Sequence, residues 1–215
     1  MVRRASSRKR EEAALATAKR MAKEQRRRQL MQTALAIVAD EGTEALTLAH
    51  LAERAGVTKP IAYEHFGTRA GLLVALFRDY DDRTTEAMHA ALATGGRSLE
   101  DVASIVSATY VDCCLSMGPE IGAIFDALSA SEETQSFLQS WRAFLIDEFR
   151  KAFAPFVKLP RRRIDAILVG GLGAAKALSD AAAAGRLSRN EAVSALSAIM
   201  AGALAPRAVS SPQRR

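Results

Sequence analysis

Between residues 58 and 66 the chain reads Thr-Lys-Pro-Ile-Ala-Tyr-Glu-His-Phe, and helical spacing puts its apolar and hydrogen-bonding groups on opposite sides. Ala62 and Phe66, four residues apart, mark the inward side, which leaves Lys59, Ile61, Tyr63 and Glu64 outward. The chemistry available on that side is recognition, not turnover. A lysine ammonium can donate to guanine O6 and N7 or to a phosphate, whereas Ile61 offers only apolar contact, for instance with a thymine methyl. Glu64 is discordant. A carboxylate is repelled by phosphate, so it either accepts from a cytosine amino group or points away.

Turnover has little support elsewhere in the chain. No nucleophile, base and orienting group can be assembled from its motifs, which disfavours a helical enzyme. The histidines are His50, His65 and His89, without clustered Cys or carboxylate spacing, so neither a metal site nor a cofactor is expected. Gly170-Gly171-Leu172-Gly173 lacks a preceding strand and has Lys176 where a phosphate cradle needs glycine. Cys113 and Cys114 are adjacent and cannot staple a loop, which fits a reducing cytosol, and nothing near them in sequence lowers a thiol pKa. No apolar run reaches the roughly 18 residues of a membrane span. The start shows no apolar signal core. A cytoplasmic protein without a membrane partner is therefore expected.

The elements that position the 58–66 segment follow from periodicity. Apolar residues recur at three and four, β-branched runs are few, and the fold class expected is all-α. Leu30, Ala34, Ile37 and Val38 stripe a helix from about Arg26 to Glu41, stopped by Gly42. Thr47 caps a short second helix with Leu48, Leu51, Ala52 and Ala55 inward, and Gly56 supplies the turn. Thr58 caps the third, where Pro60 is tolerated because first-turn N–H groups have no intrahelical partners. Gly67 ends it and Thr68 opens a long helix reaching the break at Thr94-Gly95-Gly96. Further helices are expected at 98–116, 119–130, 131–154, 160–184 and 188–204, with Ser98, Ser131 and Ser188 as caps.

Charge is unevenly spread. The net formal charge is +6, yet residues 1–30 alone hold eleven Lys and Arg against three Glu. Residues 31–70 carry three basic against five acidic side chains, and 71–215 are balanced. A basic arm on a near-neutral body suits nucleic acid, although a solvated terminus has the same composition. A membrane-surface helix is disfavoured because residues 8–30 offer no Trp or Phe to bury.

Helix, Gly-containing turn, helix is common packing, but residues 47–73, TLAHLAERAGVTKPIAYEHFGTRAGLL, are more particular. Gly56-Val57-Thr58, Tyr63-x-His65-Phe66, Thr68-Arg69 and the Glu41-Gly42 step resemble the DNA-binding segment of the tetracycline-repressor (TetR) family of bacterial regulators. The resemblance covers about residues 26–80. It implies that the 58–66 helix enters the major groove, with Lys59, Pro60 and Ile61 toward base edges. It also implies phosphate contacts from Tyr63, His65 and Arg69, the last standing where the family usually has Lys. Thr47 and Thr58 place hydroxyls and helix N-termini near phosphates. Arg26, Arg27 and Arg28 would lie beside the duplex, and the arm would track the backbone or enter the minor groove.

The domain plan that follows is a basic arm (1–25), a helix-turn-helix domain (26–70), a helical ligand and dimer domain (71–205) and a flexible tail (206–215). The resemblance implies a homodimer on pseudo-palindromic double-stranded DNA and a small apolar or aromatic ligand, probed through Tyr110, Cys113, Met117, Phe125, Phe137, Trp141 and Phe144. The same spacing is also that of plain core. Ile167, Gly171, Ala175, Leu178, Val193, Leu196 and Met200 are candidates for a four-helix interface or for intramolecular core. The function expected is a transcriptional repressor released by ligand. A protein of the same fold without an inducer, partner-controlled or architectural, is the alternative.

Overall fold

In the computed structural model, residues 2–205 are described, with side chains from residue 22 onward. Every element among the described residues is helical: α1 (Val2–Glu41), α2 (Leu48–Arg54), α3 (Lys59–Phe66), α4 (Arg69–Gly95), α5 (Leu99–Ser116), α6 (Pro119–Ala130), α7 (Gln135–Phe153), α8 (Arg161–Ala183) and α9 (Arg189–Leu204). Short 3-10 turns at Thr43–Ala45 and Glu132–Thr134 lead into α2 and α7. Ser98 and Ser188 cap as expected, their hydroxyls accepting from the backbone of Asp101 and Glu191. Ser131 makes no such bond, and the turn after it delays α7 to Gln135.

The first helix departs from expectation: it begins at Val2, not near Arg26. Residues 8–28 are Ala, Leu, Met, Lys, Arg, Glu and Gln with a single Thr, so no breaker interrupts strong helix formers. The segment expected as a separate arm thus continues α1 in its backbone. The side chains of Arg3 to Arg20, and the tail expected over 206–215, lie outside the described residues.

The chain divides into two units. The first runs through Phe77 and takes in α6; the second comprises 78–118 and the chain from Ser131. The boundary expected after residue 70 therefore falls within α4, and α6 leaves the C-terminal half. Burial explains both shifts. Leu72, Leu73, Leu76 and Phe77 of α4 and Ile121, Ile124 and Leu128 of α6 are buried, and the Phe77 and Phe125 rings lie 5.5 Å apart. Leu30, Ala34, Ile37 and Val38 are buried in the same unit, as the stripe on α1 requires. At about 1.5–3 kcal/mol per large apolar side chain removed from water, this core supplies the rigidity on which α3 depends.

In the second unit α5, α8 and α9 pack around Val102, Ala103, Val106, Leu168, Leu196 and Leu204. Gly171, Ala175, Leu196 and Met200, expected between subunits, are buried inside this core. A Cβ on Gly171 would fall 2.3 Å from the Met200 sulfur, so α8 and α9 meet there within one chain. Ile167, Leu178 and Val193 are half-buried against the same cluster. Spacing located an apolar face but could not say which partner covers it. By length and composition alone α8 is also apolar enough to cross a membrane, although Asp165, Lys176 and Asp180 interrupt its apolar run.

Candidate nucleic-acid interface and ligand cavity

The Thr47 hydroxyl accepts from the His50 amide at 3.1 Å, fixing the start of α2. After α2 the chain reverses through Gly56 at φ 66, a backbone state that glycine adopts at no steric cost. Thr58 stands at the N-cap of α3, but its hydroxyl makes no capping bond. Ala62 and Phe66 are buried, as predicted, and anchor α3 by one face. The other face is open: Thr58, Lys59, Pro60, Tyr63 and Glu64 are exposed, Tyr63 by 52%, while Ile61 and His65 are half-buried.

A brace from α1 fixes the far end of α3. The Arg27 guanidinium donates to the His65 carbonyl at 3.2 Å and lies 5.0 Å from the centre of the Phe66 ring. Lys23 Nζ pairs with Glu64 at 2.8 Å, and Gln29 donates to the Ala55 carbonyl at 3.2 Å. Arg27, expected beside the duplex, thus packs on the end of α3. Arg26 and Arg28 remain exposed, hydrogen-bonded to Gln29 and facing Glu24 respectively. Burial, then the charges of Lys23 and Arg27, hold the His65 imidazole below its ordinary pKa. At neutral pH His65 is therefore a neutral donor, and it adds no positive charge.

The acidic balance of residues 31–70 is met internally. Arg54 pairs with both Asp40 and Glu41, and His50 lies 3.0 Å from Glu41. Lys59 makes no ion pair among the described residues. Arg69 departs from expectation. Its Nε donates to the Leu46 carbonyl at 3.0 Å and its Nη2 to the Thr43 carbonyl at 2.6 Å, which ties the turn before α2 to the first turn of α4. It positions α2 where a phosphate contact was expected. Gly71 was missed as a site residue: a Cβ there would lie 2.1 Å from the Phe66 carbonyl oxygen, so glycine lets α4 start against the end of α3. The GTRAG run carried that signal only as a turn.

Residues 30–76 match the family described as bacterial regulatory proteins, tetR family. Over that segment the chain is similar to the tetR family of bacterial regulatory proteins. Over 85 residues it is 29% identical to the HTH-type transcriptional regulator BetI of Rhizobium meliloti, covering 40% of this chain and 42% of that protein. Over 91 residues it is 30% identical to the HTH-type transcriptional activator FasR of Mycolicibacterium smegmatis, covering 42% of each. The chain thus spans about 42% of the length of these curated relatives. A putative TetR-family regulator from Rhodococcus sp. superposes with a TM-score of 0.60 at 21% identity, covering 85% of this chain and all of the other. A tetR-family regulator from Streptomyces coelicolor gives 0.62 at 20%, covering 84% and 80%. These structures share its fold.

The second unit holds a small cavity of about 40 Å³ between α4, α5 and α7. Tyr110, Cys113 and Trp141 line it, as expected, together with Asp81, Thr84, Thr85 and Met88 of α4, which sequence reasoning missed. Their spacing on α4 looked like an ordinary polar helix face. Four expected lining residues stand elsewhere. Phe125 packs on Phe77 in the first unit, Phe137 lies under Arg78, Phe144 is 41% exposed, and Met117 ends α5. Aromatic content marked these positions, but helix phase places them outside the cavity. Burial raises the Cys113 thiol above its usual pKa and pushes Cys114 up to about 11, so neither is a reactive thiolate. Tyr80 donates to the Cys113 carbonyl at 2.6 Å, and burial pushes its phenol up to about 12.

Proposed function

We propose that this chain is a sequence-specific DNA-binding transcriptional regulator, a homodimer acting as a repressor that a small molecule releases. The open face of α3 carries this reading: Lys59, Pro60 and Ile61 at its start, Tyr63 beyond, on a helix anchored by Ala62 and Phe66 and braced by Arg27. Lys59 and Ile61 would meet base edges, and Thr47, Thr58, Tyr63 and His65 phosphates, in the manner of a recognition helix in the major groove. Arg26, Arg28 and the basic N-terminal part of α1 supply non-specific attraction.

A two-fold operator demands two recognition helices, and the chain offers a surface for the pairing. Ala166, Val169, Gly170, Gly173 and Ala177 form an exposed small-residue stripe on α8, and Ile199 is 46% exposed on α9. An apolar face of this kind suits a four-helix interface. It also accounts for the apolarity of α8 without a membrane. A small molecule in the second unit releases DNA when it binds the DNA-free conformation more tightly than the DNA-bound one.

Selection of bound sequences from random duplex DNA tests this function. A pseudo-palindromic site with two half-sites supports it. Indifference to sequence favours an architectural role and overturns it.

A further inference from the structure

Several charged groups near the cavity are paired, and the exposed Arg142 lies close enough to Tyr110 to act on its phenol. Asp79 binds Arg83, Asp112 binds Arg189, Asp147 binds Arg150 and Lys151, and Glu148 lies between Lys151 and His89. Asp81 lines the cavity and is half-buried, and no ion pair joins it to a Lys, Arg or His among the described residues. Its influences are burial, a hydrogen bond with Trp141 and the like charge of Asp82. A carboxylate withdrawn from water without a cation is costly unless a ligand supplies one.

We propose that this cavity binds the head of an organic ammonium ion, with Asp81 as counter-ion and Trp141, Tyr110 and Phe149 as aromatic walls. The inference rests on the reading that the second unit takes a small-molecule effector, and it names the chemistry of that effector. Aromatic faces attract cations, and the hydroxyls of Thr84, Thr85 and Thr109 on the same lining can accept ammonium N–H groups. The Asp81 carboxylate and the aromatic faces favour positive charge, whereas a carboxylate ligand would meet Asp81 as a like charge. Size sets the division of the ligand. A cavity of about 40 Å³ holds a small head and no more. Thr84, Thr109 and Cys113 also line an open groove of about 340 Å³, with Arg83 and Asp112 on its rim. An apolar body attached to the head would lie in that groove once the three shared side chains part. Burial raises the Asp81 carboxyl above its ordinary pKa, and a bound cation would bring it back down.

Trp141 is the single tryptophan of the chain, so its emission reports the cavity directly. The probes are benzylamine, a cation at pH 7, with benzyl alcohol and benzoate as neutral and anionic matches. Benzylammonium should change Trp141 emission saturably at millimolar concentration, benzyl alcohol should bind about tenfold more weakly, and benzoate should not bind. Asp81→Asn should bring the amine and the alcohol to within about twofold of each other, while Asp82→Asn keeps the difference. In the unaltered protein, equal binding of amine and alcohol, or no saturation by the amine, overturns the proposal whatever the variants do. Repeating the titration with operator DNA separates the two claims. If benzylammonium saturates Trp141 and DNA affinity is unchanged, the cation site stands and the effector role falls. If DNA affinity answers to benzyl alcohol or benzoate but not to the amine, the effector role stands and the cation site falls.

Discussion

Replacing Arg69 with Gln separates two roles that the sequence alone could not. The guanidinium donates to two backbone carbonyls, Leu46 at 3.0 Å and Thr43 at 2.6 Å, and its side chain is 38% exposed. Hydrogen bonds from a charged donor contribute about 1.5–3 kcal/mol each when sheltered, so partial exposure leaves the pair worth about 2 kcal/mol. Glu44, at 3.4 Å and 95% exposed, adds little. For a chain of this size about 2 kcal/mol corresponds to a fall in Tm of roughly 4–8 °C. Differential scanning calorimetry gives that number. Operator titrations across a range of salt then read the second role, because each lost phosphate contact lowers the slope of log K against log salt by about 0.9. The geometry predicts a lower Tm with an unchanged slope. An unchanged Tm with a reduced slope would mean that Arg69 holds a phosphate, and the positioning argument would be wrong.

Gly71→Ala sets a Cβ 2.1 Å from the Phe66 carbonyl, and overpacking against backbone should cost about 1–3 kcal/mol and weaken operator binding; thermal melts and binding at wild-type Tm would refute the close approach. Asp81 is raised by burial, so the folded state holds its proton at a pH where the unfolded chain, near 3.8, has lost it. Stability attributable to this group therefore falls as pH rises through that window, and Asp81→Asn should raise Tm at pH 7 but not below pH 3.8; equal Tm differences at both pH values would contradict the burial. Deleting residues 1–21 removes seven Lys and Arg and keeps the contacts of Lys23 and Arg27 with α3, so affinity should drop and the salt slope flatten while Tm holds. Binding unchanged at every salt concentration would remove the basic segment from the account.

Much of this was legible in the residues because local rules dominate helices. The stripe Leu30, Ala34, Ile37 and Val38, the Ala62 and Phe66 pair, and the Ser98 and Ser188 caps each express a spacing that one helix turn enforces. What escaped depends on contacts far apart in sequence. Arg27 and Arg69 look alike as cations, and only the fold shows their donors turned onto carbonyls of neighbouring elements. Gly171 and Met200 revealed an apolar face but not whether it meets its own chain or another. Asp81 looked like any solvated acid on α4 until Trp141 was brought against it from α7. The extended α1 is a different failure. Residues 8–28 contain no breaker, and helix propensity carries α1 through the basic segment despite its charge.

The central claim is that α3 reads base sequence through a few outward side chains, and Ile61 tests it most directly because it carries no charge. Selection from random duplex DNA should be run in parallel on the unaltered protein and on Ile61→Ala. The account predicts the same two-fold site with base preference relaxed at one position in each half-site, by about 1–3 kcal/mol of discrimination. An identical site and identical preferences from both proteins would contradict it.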